Sequence, residues 1–129
     1  MKLNPDCVRA VLLEVEDHSD YMHATEYKYG STDFKRLKDF SKDEIAYHVQ
    51  QCELSGLICG IAFYDAGATI DIRDLTPKGH EFLANIRNDT FFNKVKNIGK
   101  ELGLNSLNDI TQIALNCAAL IIKNHFNLP

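Results

Sequence analysis

The chain has no tryptophan, only three prolines, and no pair of cysteines at CxxC spacing. Its four cysteines are Cys7, Cys52, Cys59 and Cys117, and the closest two lie seven positions apart. That spacing argues against a zinc ribbon or a redox pair. It predicts reduced, mostly buried thiols in a cytoplasmic protein. No apolar run approaches the ~20 residues of a membrane span. The most apolar window, residues 113–122, is short and interrupted by Asn116. Met1 to Pro5 carry no signal-peptide core. Positive charge is scarce too: 14 Lys and Arg face 18 Asp and Glu, for a net charge of -4. That is not the balance of a basic nucleic-acid-binding chain.

Catalytic signatures are missing as well. The seven glycines are scattered, so no phosphate-cradling loop is present, and there is no G-x-S-x-G nucleophile motif. His18, His23, His48, His80 and His125 include no pair at i+3 or i+4, the helical spacing for metal ligands. His48 reads as a hydrogen-bonded, partly buried residue rather than a base. The carboxylate pairs Glu14/Glu16 and Asp71/Asp74 read as surface. The sequence therefore predicts no enzyme, no cofactor, no metal and no small-molecule substrate.

What is present suits one globular domain. The 129 residues are 45% hydrophobic and 25% charged, which is enough apolar material for a self-sufficient core. Helical spacing of Val8, Val11, Leu12 and Val15 predicts a first helix over residues 5–17, with Pro5 at its start. A short strand is expected around Ala24–Tyr29 and a short helix over 33–39. Ser41 and Glu44 form an S-x-x-E capping box for a helix that stops at Gly56. Residues 57–64 and 69–75 read as strands of a hairpin around the turn Asp65–Ala68. Thr76 and Pro77 open another helix. A break near Asn88–Asp89 precedes a helix to Leu102, closed by Gly103, and Asn105 or Ser106 caps a last helix over 107–126.

This order predicts an α+β fold: a winged helix-turn-helix with a two-stranded wing and added C-terminal helices. Residues 1–88 would form the winged-helix core. Residues 89–129 would form a helical extension packed on it or serving as a dimer interface. The segments MKLNPDCVRAVLLEVE, DEIAYHVQQCELSGLI and LTPKGHEFLANIRND resemble a family of small phage- and Firmicute-associated proteins known as domain of unknown function 2513. FFNKVK resembles the segment that usually trails them. The chain departs from the family's pattern at Pro77 and Phe92, where aromatic residues, often Trp, are usual. The resemblance implies a winged-helix-like architecture and a phage or prophage setting. It implies no catalytic residues.

Charge bears on whether such a fold binds DNA. Over residues 41–56, Lys42 faces Asp43, Glu44 and Glu53, a net of -2. Over 57–76, Arg73 faces Asp65, Asp71 and Asp74, again -2. Phosphate neutralisation would require the opposite sign. The favoured reading is a protein-interaction module. The alternative is a DNA-binding regulator using the helix 42–55 and the wing 57–75. In that alternative Tyr47, Gln50, Gln51 and Arg73 are candidate contacts to bases or a partner. Lys35, Arg36, Lys38, Lys94, Lys96 and Lys100 are then candidate phosphate contacts. The last helix is apolar nearly all round, so Ile113, Leu115, Ala118, Ile121 and Ile122 are candidates for a homodimer interface.

Overall fold

Most element ends follow from local chemistry. A computed structural model describes residues 1–127, and in it α1 (Pro5–His18) starts where the Asn4 side chain accepts from the Asp6 N–H. Its inner face buries Cys7, Val8, Val11, Leu12 and Val15. β1 (Thr25–Lys28) follows. The short helix expected over 33–39 is only a 3-10 turn, Lys35–Leu37. Phe34 and Leu37 are buried there, and two anchors three residues apart need no longer helix.

The capping box of α2 (Lys42–Leu54) is complete. Ser41 Oγ accepts from the Glu44 N–H, and Glu44 Oε1 accepts from the Ser41 N–H, both at 3.1 Å. Its C-terminus is a Schellman turn: Gly56 takes φ +74, the Gly56 N–H donates to Glu53 and the Leu57 N–H to Cys52. β2 (Ile58–Tyr64) and β3 (Thr69–Leu75) form the expected hairpin. α3 (Pro77–Ile86), α4 (Asp89–Leu102) and α5 (Leu107–His125) complete the chain. Thr76, Asn88 and Ser106 cap them, and Gly103 closes α4 in the left-handed region.

Among the described residues the architecture is mixed α+β, with five α-helices and a three-stranded antiparallel sheet in the order β1-β3-β2. The expected two-stranded hairpin therefore gains a third strand. β1 pairs with β3, placing Thr25 opposite Ile72 and Tyr27 opposite Ile70. Thr25 and Tyr27 point into the core while Glu26 and Lys28 face solvent. A four-residue strand gives only this short alternation, too little to fix its partner in the sequence. One continuous core runs from Cys7 on α1 to Ala114 on α5. Phe92, Val95, Leu107 and Ile110 belong to it, so α4 and the first half of α5 share the interior of the preceding elements.

The tightest approach lies where α2, β2 and α3 meet. The Leu57 carbonyl accepts from the Thr76 N–H at 3.0 Å. Thr76 Oγ1 donates to the Gly56 carbonyl, and Lys78 Nζ donates to that of Ser55. A Cβ at Gly79 would sit 1.9 Å from the Leu57 oxygen. Only glycine lets α3 begin this close to the α2–β2 turn. Gly79→Ala is expected to destabilise the fold by about 2–3 kcal/mol, read as a lower denaturant midpoint. Ala84→Gly, at an exposed position of the same helix, should cost about 1 kcal/mol. Equal losses would show that the approach can relax freely.

Candidate functional site

Helix α2 shows solvent a mixed and acidic surface. Gln50 is exposed, whereas Tyr47 and Gln51 are half-buried. The Tyr47 ring packs edge-on against His48 at 5.0 Å. Asp43, Glu53 and Leu54 are exposed on the same helix. The hairpin tip folds back on its N-terminal half: Lys42 Nζ donates to the Ala66 carbonyl at 3.4 Å, and Gly67 lies against Ala46. Arg73 does not project outward as a contact residue. Its guanidinium donates to the carbonyls of Asp20, Tyr21 and His23 and fixes the loop before β1.

The cations expected to meet phosphate do not form one rim. Arg36 donates to Glu14 Oε1 at 3.0 Å and Asp17 Oδ2 at 2.8 Å. Its guanidinium pKa is raised, chiefly by the hydrogen bond to Glu14. Lys38 pairs with Asp33 at 2.8 Å. Lys96 pairs with Asp6 at 2.8 Å and covers the Phe92 ring, which Arg9 also covers. Lys94 and Lys100 are exposed but line two different grooves. Lys35 is exposed beside Arg36. Carboxylates occupy half of these cations, and those that hold Arg36 and Lys96 lie far away in sequence, so spacing along the chain gave no sign of them.

Two buried polar groups organise the interior. His48 is fully buried with both ring nitrogens engaged: Nδ1 donates to the Glu44 carbonyl at 2.7 Å, and Nε2 accepts from the Asn4 N–H at 2.8 Å. That tautomer is neutral, and burial lowers the His48 pKa. Glu14 does not lie on the surface. Its side chain is 4% exposed, held by Arg36 and within 3.4 Å of His18 Nδ1. Arg36 sits 22 residues further along the chain, so only the fold reveals the pair. Burial also raises the thiol pKa values of Cys7, to about 12, and of Cys52. Both thiols therefore stay protonated and inert. No group of His, Cys, Asp or Glu side chains able to hold a metal ion occurs among the described residues, and none of their helices is long and apolar enough to cross a membrane.

The last helix divides in two. Leu107, Ile110, Ile113 and Ala114 pack inward. Ile113, expected at a dimer interface, is instead held in this chain's own core at 8% exposure. Beyond it, Leu115, Leu120, Ile121, Ile122 and Phe126 are exposed. Ala118, Ile121 and Ile122 line one wall of an open groove of about 590 Å³, with Ala84, Asn88 and Phe91 across from them.

Two outcomes test the buried polar groups. Below about pH 6.5 the unfolded chain protonates His48 while the native chain resists. The unfolded state then binds more protons, so stability falls as pH drops. His48→Gln, which keeps a donor and an acceptor, is expected to lose less stability between pH 7.5 and 5.5 than the parent chain, by urea denaturation. Identical slopes would contradict the neutral tautomer. Arg36→Ala leaves the Glu14 carboxylate buried without its cation and should cost about 2 kcal/mol. Lys35→Ala next to it should cost less than about 0.5 kcal/mol.

No solved structure matches the chain significantly. An uncharacterized protein of Haemophilus influenzae is 34% identical over 116 residues, covering 88% of this chain and 92% of that protein. The family model described as "Hypothetical protein (DUF2513)" matches residues 2–105, from the N-terminus to just before α5. The chain therefore belongs to the family of domain of unknown function 2513.

Proposed function

We propose that this is a non-enzymatic cytoplasmic protein of winged-helix type that acts by binding protein, and that it pairs with a second copy of itself through α5. The element order α1, β1, 3-10 turn, α2, β2, β3 and the sheet order β1-β3-β2 support the winged-helix reading. The hairpin would be the wing and α2 the helix beside it.

The bare apolar half of α5 carries the binding reading. Leu120, Ile121 and Ile122 are 59%, 52% and 56% exposed. At 100° per residue they span about 200° of the helix surface, too much for one flat contact to cover. With Leu115 and Phe126 they present on the order of 500 Å² of apolar side chain, near the upper limit of what monomers leave bare. The groove beside them supplies a complementary surface on the same molecule. A two-fold arrangement would seat the end of each α5 in the other copy's groove, so one patch serves both sides. Ala118 and Ala119 allow close approach of the two helices.

Duplex DNA is the weaker alternative. α2 and the hairpin carry the acidic balance, and Arg36, Lys38, Arg73 and Lys96 are held by carboxylates or carbonyls of the chain. Light scattering at about 100 µM is expected to give twice the 14.6 kDa chain mass, and Ile122→Glu to give a monomer of unchanged helicity. A monomeric parent chain would overturn the pairing. Binding to mixed-sequence duplexes that weakens steeply with salt would overturn the choice of protein over DNA.

A further inference from the structure

Strand β2 has one unpaired edge. It lies at the margin of the sheet, bonded on one side to β3. Among the described residues, no backbone hydrogen bond from outside the sheet reaches residues 58–64. Natural edge strands are usually blunted by shortness, proline, lysine or inward charge. The opposite edge follows that rule: β1 is four residues long and carries Glu26 and Lys28. β2 does not. Its seven residues, ICGIAFY, contain no charge and no proline, and Cys59, Gly60, Phe63 and Tyr64 are exposed. Gly60 adopts φ +67, and a Cβ there would stand 2.4 Å from Arg73 Cβ on β3, so this position carries no side chain toward the open edge.

The charge around this edge selects a partner. Asp71 faces Ala62 one strand inward, and Asp65 follows the exposed Tyr64. Gly60 and Ala62 are small, so no bulky side chain screens Asp71 from the open edge. The cation on that stretch of β3, Arg73, is drawn to the loop carbonyls at Asp20–His23. Lys42 and Lys78 each donate to a carbonyl, of Ala66 and Ser55. Asp43 and Glu53 are exposed on α2, which packs against this strand.

We propose that the free edge of β2 accepts an extended, lysine- or arginine-bearing segment of a partner protein as a fourth strand. Main-chain bonds would supply affinity, as in other strand additions. Cationic side chains crossing Gly60 and Ala62 toward Asp71 and Asp65 would supply selectivity. This deepens the protein-binding reading above by naming a partner class, and it uses a surface separate from α5.

The test uses the full chain and a fluorescein-labelled probe, acetyl-Lys-Val-Thr-Val-Lys-Val-Thr amide. Anisotropy is expected to show saturable binding, and hydrogen exchange to show new protection of amides in residues 58–64. Methylating alternate probe amides should weaken binding about tenfold or more. Replacing both probe lysines by Glu should do the same. Ala62→Lys, at a half-exposed position, should also weaken binding about tenfold, with circular dichroism unchanged. Absence of binding overturns the proposal. So does equal affinity for the methylated probe, or binding without protection of β2. Light scattering on the same sample reads α5 pairing separately, so failure at β2 is distinct from failure of the dimer.

Discussion

The carbonyl of Leu57 occupies the space that any side chain at residue 79 would need. That one approach joins three elements. The Schellman turn at Gly56 ends α2 and aims the chain into β2. Thr76 then binds both Gly56 and Leu57 while capping α3. The hairpin thus leaves and returns at a single locked point, and the helices on either side are fixed relative to it. With the sheet held there, Ile70 and Ile72 face the core between α1 and α2, and Leu75 closes it at the junction. Replacing any of these contacts with a looser turn would free the hairpin to tilt against α2.

Long-range ion pairs explain why the surface reads as it does. α1 is the hub: Asp6 binds Lys96, Arg9 binds Asp89, Glu16 binds Arg87, and Glu14 with Asp17 binds Arg36. The Arg87 pair is bidentate and holds the Glu16 carboxyl below its ordinary pKa. Exposed pairs of this kind add little stability singly, but they fix which charges remain free. The sheet and α2 keep several carboxylates without a cation beside them, while Arg36, Arg87 and Lys96 are turned toward α1. The net charge of -4 is therefore expressed unevenly, and the acidic share falls on the hairpin side.

Local signals were legible in the sequence, and non-local ones were not. Ser41–Glu44, Thr76–Pro77, Gly56 and Gly103 each act within a few residues, so their spacing announces the element ends that form. The pairing of β1 with β3 joins residues more than 40 positions apart, and no pattern in TEYK specifies it. Glu14 and Ile113 show the same limit. A carboxylate on a helix looks exposed until Arg36 folds over it, and an isoleucine on a helix apolar nearly all round looks free until α4 arrives. His48 was legible as a hydrogen-bonded, partly buried group because it lies between apolar positions of α2. Its partner Asn4, on another element, was not.

The direction of α5 is settled by a second close approach. Gly103 and Leu104 close α4 with a Schellman turn onto Lys100 and Gly99, and a Cβ at Gly99 would lie 3.0 Å from Ile110 Cδ1 and 3.3 Å from the Leu104 carbonyl. α5 therefore starts pressed against α4, and the inner face of its first two turns, Leu107, Ile110 and Ile113, is buried. A straight helix of 19 residues runs about 28 Å, and its buried residues end at Ala114. The remaining turns must then pass beyond the core. A polar sequence there would simply be solvated, but this one is Leu120-Ile121-Ile122. The geometry of a glycine on α4 and the composition of the end of α5 together leave apolar surface bare, and water is a poor solvent for it. The pairing proposed above would cover that surface on both copies at once.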